Sequence, residues 1–169
     1  MRISSLRSAL AAVALAGGLA LSAPSSASAE SPGGSPSFDE LVFCAVEGTC
    51  LTVQDTQRWA LSTAAWRYPA GTQADGVGDA FRHCIWAGAL ANRVGYESAY
   101  TQTLGHENYT AESEGAFFMD VSNDFVGLDL GVRSLSEGGS DTWGWIMNQC
   151  GALADSGQLY GPFGVLGGY

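Results

Sequence analysis

The chain has 169 residues, with 17 acidic side chains against 7 basic ones, all of them arginine, and a formal charge of −10. So few cations on so acidic a chain exclude a footprint for a nucleic-acid backbone and charge-driven adhesion to anionic membranes. With 46% apolar and 11% aromatic residues it has material for a core, which excludes a wholly disordered chain.

Residues 1–29 read as a secretory signal peptide: Arg2 and Arg7 in a short basic start, an apolar run from Ala9 to Leu21, then the small residues Ala27, Ser28 and Ala29. The apolar run is too short to span a bilayer, so no transmembrane anchor is expected after cleavage. Cleavage removes 29 residues and two arginines, leaving 140 residues at a net charge of −12, the size of one domain. The expected product is secreted. Residues 30–36, rich in Gly, Ser and Pro, form a flexible leader, and residues 37–169 a single helical domain.

Ser37 and Glu40 have the spacing of a capping box, opening a short helix with Phe38, Leu41, Val42 and Ala45 inward and a stop near Gly48. A second helix opens at Thr52–Asp55, carries Trp59, Thr63 and Trp66, and ends before Pro69. The third, Val77 to Val94, is apolar on nearly every side and is therefore the central helix; Gly95 ends it. A fourth runs from Tyr96 to about Leu104, leaving His106 and Glu107 at or past its end. The fifth, about Ala116 to Arg133, carries Phe118, Val121, Phe125, Leu128 and Val132 on one stripe. The sixth starts at Ser140 or Asp141, with Trp143, Ile146, Met147, Cys150 and Leu153 on one face. The tail from Gly157 is too glycine-rich for a helix and too apolar to float free, so a short hairpin across the bundle is expected. The tryptophans read as core residues. The fold class is all-α: a compact bundle of five or six helices around a central apolar one.

Four cysteines allow three pairings. Cys44–Cys50 closes a local loop around Gly48, and Cys84–Cys150 ties the third helix to the sixth; this is the favoured pairing, and it suits an oxidising compartment.

The chemistry gathers on three consecutive elements. Asp79, His83 and Trp86 share a face of the third helix, with Arg82 beside them. His106 and Glu107 follow in the next element. Asp120, Asn123, Asp124 and Gly127 fall at i, i+3, i+4 and i+7 on the fifth helix, set partly against its apolar stripe. Burying that many polar groups costs about 1–3 kcal/mol for each left unpartnered, so they must satisfy one another or hold a ligand. The expected catalytic set is His83, His106, Asp79, Asp120 and Glu107, with Arg82, Asn123 and Asp124 toward substrate or an anion. Two chemistries fit. A divalent metal held by His83, His106 and a carboxylate such as Asp120 or Glu107 would leave a position for water. Alternatively, His83 acts as general base, Asp79 or Asp120 orients its ring, and Arg82 neutralises a developing anion. A Gly-x-Ser-x-Gly elbow is absent, which speaks against a serine triad.

The pieces Gly78–Trp86, Gly105–Glu107 and Met119–Gly127 are similar in order and spacing to a bacterial helical domain family with the pattern D-A-F-R-H-x-x-W, H-E, then M-D-x-x-N-[ND]-x-x-G. That family occurs in small exported proteins and at the ends of large toxin-like polypeptides, and carries no assigned activity. The resemblance covers about Gly76 to Gly131. The residues point to a hydrolase; a lipid or cell-envelope substrate follows from location and family company, not from residues, and the expected partner is a small-molecule, lipid or envelope ligand. The alternative is a noncatalytic exported module whose polar cluster only fixes helix packing.

Overall fold

A computed structural model describes residues 38–109 and 113–167. The signal-peptide reading of residues 1–29, the leader of residues 30–36 and the capping role of Ser37 lie outside the described residues. Six helices follow in order: α1 (Phe38–Glu47), α2 (Cys50–Arg67), α3 (Val77–Val94), α4 (Tyr96–Tyr109), α5 (Glu114–Glu137) and α6 (Thr142–Asp155). A single 3-10 turn, Ala70–Thr72, lies between α2 and α3, and the hairpin β1 (Tyr160–Gly161) and β2 (Gly164–Val165) ends the described chain. The two strands pair antiparallel, Tyr160 opposite Val165.

Helix α3 is central because it has no side that tolerates water. Phe81, Cys84, Ile85, Ala87, Ala89 and Leu90 are all buried, and α2, α4, α5 and α6 pack on it. Each large apolar side chain so enclosed contributes about 1.5–3 kcal/mol. Its most extensive partner is α5. That contact depends on missing side chains. A Cβ on Gly127 would come within 2.9 Å of the Cys84 carbonyl carbon, and one on Gly131 within 2.8 Å of the Ala91 methyl. Glycine there lets the backbones nearly touch.

Two of the helix ends are set by the same device. At the end of α1, Thr49 N–H donates to Cys44 O and Gly48 N–H to Ala45 O, with Gly48 at φ +70°. At the end of α6, Gln158 donates to Leu153 O and Gly157 to Ala154 O, with Gly157 also at φ +70°. Both are Schellman caps, in which a residue without a Cβ takes the left-handed position. The first turns the chain so tightly that α2 starts at Cys50, ahead of the expected Thr52. Asp141 caps α6 by accepting from Gly144 N–H at 2.9 Å. The C-terminal ends of α2 and α6 are joined where Arg67 and Tyr68 both donate to the Asp155 carboxylate, each at 2.7 Å.

Both favoured disulfides are present, Cys44–Cys50 within the α1–α2 hairpin and Cys84–Cys150 between α3 and α6. Among the described residues no helix is long and apolar enough to cross a membrane.

The apolar stripes differ from expectation in three places. On α1, Cys44 is the buried residue, whereas Leu41 and Val42 are about half exposed and Ala45 is exposed, because the disulfide rather than the aliphatic side chains turns inward. On α2 the buried row is Thr56, Ala60 and Ala64, and Trp66 stands 78% exposed, so it is not a core residue. Small residues let α2 lie close on α3 and rotate its tryptophan row off axis; Trp59 is left partly buried against Trp143, ring centroids 4.8 Å apart. On α5 the reversal is larger. Phe118, Phe125 and Val132 are exposed, and the helix buries Met119, Asp120, Asn123, Asp124, Gly127, Leu128 and Gly131 instead. The glycine contact with α3 dictates that rotation.

Candidate functional site

The rotation of α5 brings its carboxylates onto His83. The imidazole is 1% exposed and has carboxylate oxygens on both of its nitrogens. Nδ1 lies 3.3 Å from Asp124 Oδ1 and 3.4 Å from Glu107 Oε1. Nε2 lies 3.3 Å from Asp120 Oδ1 and 3.6 Å from Asp79 Oδ1. Three helices therefore converge on one ring: α3 supplies His83 and Asp79 from successive turns, α4 supplies Glu107, and α5 supplies Asp120 and Asp124 from successive turns.

The two sides of the ring are not equivalent. Nδ1 makes a hydrogen bond to Asp124 Oδ1, which selects the tautomer protonated at Nδ1. Nε2 makes none, although two carboxylates face it. Burial is the main reason that His83 titrates well below the ordinary histidine range, and the Arg82 guanidinium and His106 act in the same direction. The ring is therefore neutral at physiological pH.

Asp79 is fixed from both sides. It sits in the first turn of α3, where one oxygen accepts the Asp75 N–H at 2.8 Å and the other takes the Arg82 guanidinium. Asp75 itself holds a φ of +56°, the left-handed conformation that bends the chain into the helix. Asp79 and Arg82 on the Nε2 side keep some exposure, with side chains 7% and 15% accessible, and so does Asp124 on the Nδ1 side, at 5%.

His106 and Glu107 lie inside α4, which runs on to Tyr109, rather than past its end at Leu104. The extra turn buries Glu107 and carries His106 against Trp86, rings T-shaped with centroids 5.2 Å apart. His83 meets the same tryptophan at 6.4 Å. Among the described residues, two groups of three side chains have ligand atoms close enough to share a metal ion: Asp79, His83 and Asp120, and His83, Glu107 and Asp124. His106 belongs to neither, so the expected set of His83, His106 and Asp120 gives way to one imidazole with two carboxylates. Asn123 is committed to the tail: its amide donates to Tyr160 O and its oxygen accepts Tyr160 N–H, both at 2.9 Å.

A model of a domain family of unknown function, DUF6973, matches residues 41–151. The chain belongs to this family. The DUF6973 span takes in the helices that bear the cluster, from most of α1 to most of α6. No curated protein and no solved structure matches the chain.

Two buried polar residues on α4 of the DUF6973 domain have no place in the sequence expectations, Gln102 and Thr103. Their signal was present: they precede His106 and Glu107 by four residues, and a fourth helix carried through Tyr109 would have placed each pair on one face. Gln102 and Trp86 also line a cavity of about 180 Å³ beneath the α1–α2 hairpin, together with Leu41, Val53, Gln54, Gln57 and the Cys44–Cys50 disulfide.

Proposed function

We propose that this domain is a hydrolase, exported after cleavage of residues 1–29, whose reactive centre is His83 with Asp79, Glu107, Asp120 and Asp124. The observation that carries the reading is the imidazole held inside the core with carboxylate oxygens at both nitrogens. A ring so enclosed is fixed in orientation and tautomer before any substrate arrives, which is what proton transfer in a hydrolytic step requires. Arg82, partly exposed beside the ring, is suited to neutralising the anion that develops when water adds to an ester or phosphoester. Two disulfides support an oxidising location. The apolar cavity behind Trp86 supports a substrate with an acyl segment. Its 180 Å³ compares with the roughly 150 Å³ of an apolar cavity that takes up benzene.

The test is hydrolysis of p-nitrophenyl acyl esters of increasing chain length, alongside a phosphodiester analogue, by the purified protein. His83→Gln and Asp120→Asn are expected to lower kcat by roughly 10²–10⁴-fold with unchanged circular dichroism. Variants that keep the wild-type rate would remove the cluster from catalysis. If no ester is cleaved and Asp120→Asn lowers stability, the cluster serves to fix the crossing of α3 and α5, as in a noncatalytic module.

A further inference from the structure

We infer that His83 Nε2, Asp120 Oδ1 and Asp79 Oδ1 form a binding site for one divalent transition-metal cation of the zinc class, with Asp124 as the group that orients the ring. The inference rests on the hydrolase reading only for its use, not for its geometry.

Three observations converge. The first is spacing. Charge-assisted hydrogen bonds between nitrogen and carboxylate run about 2.7–2.9 Å, whereas Asp120 and Asp79 stand 3.3 and 3.6 Å from Nε2. Ligand atoms about 2.1 Å from a shared cation are separated by about 3.0–3.4 Å for bond angles between 90° and 109°. Asp120 falls within that range and Asp79 about 0.2 Å beyond it, and all three ligand atoms lie within 4.8 Å of one another.

The second is the state of Nε2. It is wholly buried, is aimed at two carboxylate oxygens and makes no hydrogen bond. With the proton on Nδ1, Nε2 presents a lone pair to two anionic oxygens, an arrangement that favours a cation between them beside the Arg82 guanidinium, which among the three atoms meets Asp79 Oδ1. The third is the opposite side of the ring, where Nδ1 donates to Asp124. A carboxylate on the far nitrogen is the usual partner of a metal-bound histidine, since it fixes the tautomer and raises the basicity of the ligating nitrogen.

One imidazole and two carboxylates give a neutral-plus-two-anions set for a dication, which suits zinc or manganese better than calcium, whose sites are built from oxygen alone. Three protein ligands leave a position for water, and Arg82, which keeps 15% exposure, stands beside Asp79. A cation there would supply the polarised water that the proposed hydrolysis needs. His106 has no part in the site.

The experiment uses full-length protein stripped with EDTA and titrated calorimetrically with zinc chloride alone, then manganese chloride alone. One equivalent is expected to bind. Asp120→Asn is expected to weaken binding at least 100-fold and Asp124→Asn 10- to 100-fold. His106→Gln is expected to bind as the wild type does. Cobalt substitution gives a second readout, since visible bands are expected for the wild type and His106→Gln and lost in Asp120→Asn. The inference is overturned if stripped wild-type protein takes up neither metal, or if Asp120→Asn and His106→Gln bind alike. Its failure is separable from that of the hydrolase reading. Protein that takes up neither metal yet cleaves esters sinks the cation and leaves the hydrolase; stoichiometric zinc with no ester cleaved does the reverse.

Discussion

Replacing Gly127 by alanine puts a methyl group 2.9 Å from the Cys84 carbonyl carbon, nearer still to its oxygen, and 3.0 Å from the Ala87 methyl. Ordinary contact begins near 3.4 Å, and the obstructing atoms are helix backbone that cannot swing aside as a side chain would. Helices α3 and α5 must therefore part by at least about 0.5 Å along their main contact, against the dense packing of a protein interior. Overpacking of this kind costs about 1–3 kcal/mol, and the gain from replacing a mid-helix glycine offsets about 1 kcal/mol of it. Gly105, inside α4, is the matched control: an added Cβ there meets nothing within 4 Å. Gly105→Ala should keep the whole propensity gain and raise stability by up to about 1 kcal/mol. The two variants should differ by roughly 1–3 kcal/mol in urea unfolding with the disulfides intact, seen as opposite shifts of midpoint at a common m-value. A Gly127→Ala protein at least as stable as the Gly105→Ala protein would refute the close-approach argument.

Three further outcomes are expected. Removing Cys84–Cys150 by paired alanines frees a 66-residue loop and should lower stability by about 4 kcal/mol, against about 2 kcal/mol for Cys44–Cys50; equal losses in calorimetric melts would contradict the loop-length account. Because His83 titrates lower in the folded state than its unfolded value of about 6.5, the unfolded chain binds the extra proton. Its contribution to stability is therefore whole above that value and falls as pH drops below it; urea midpoints between pH 7.5 and 5.5 should decline less in His83→Gln than in the wild type. Asn123→Ala strands the Tyr160 backbone pair and should cost about 1–3 kcal/mol, with deuterium exchange speeding up at Tyr160 while α2 is unaffected.

The helical class, the central α3 and the Cys44–Cys50 pairing were legible in the sequence because each rests on one strong local pattern; Cys84–Cys150 follows as the pair that remains. All-round apolarity leaves α3 no outward face, and Gly48 marks a tight turn between Cys44 and Cys50. Helix α5 was harder because two of its signals conflict. Phe118, Phe125 and Val132 form a plausible core stripe, while Asp120, Asn123, Asp124, Gly127 and Gly131 form a polar and glycine stripe on the other side. The second stripe wins since backbone contact is available only through glycine, and the carboxylates go inward with it. Hydrophobicity alone carries no term for that close approach. Glu107 was misplaced for a different reason: Gly105 weakens the helical pattern, though the chain continues through it to Tyr109. The Asn123 pairing had no sequence signal, since its partners are main-chain atoms of Tyr160.

That pairing has a consequence for assembly. Asn123 stands on α5 between Asp120 and Asp124, and its amide is matched by a strand 37 residues further along the chain. The turn of α5 that carries the carboxylates on both sides of His83 therefore depends on the C-terminal hairpin to satisfy its own amide. A chain cut before Tyr160 would leave that amide without its backbone partners and loosen the turn on which Asp120 and Asp124 stand.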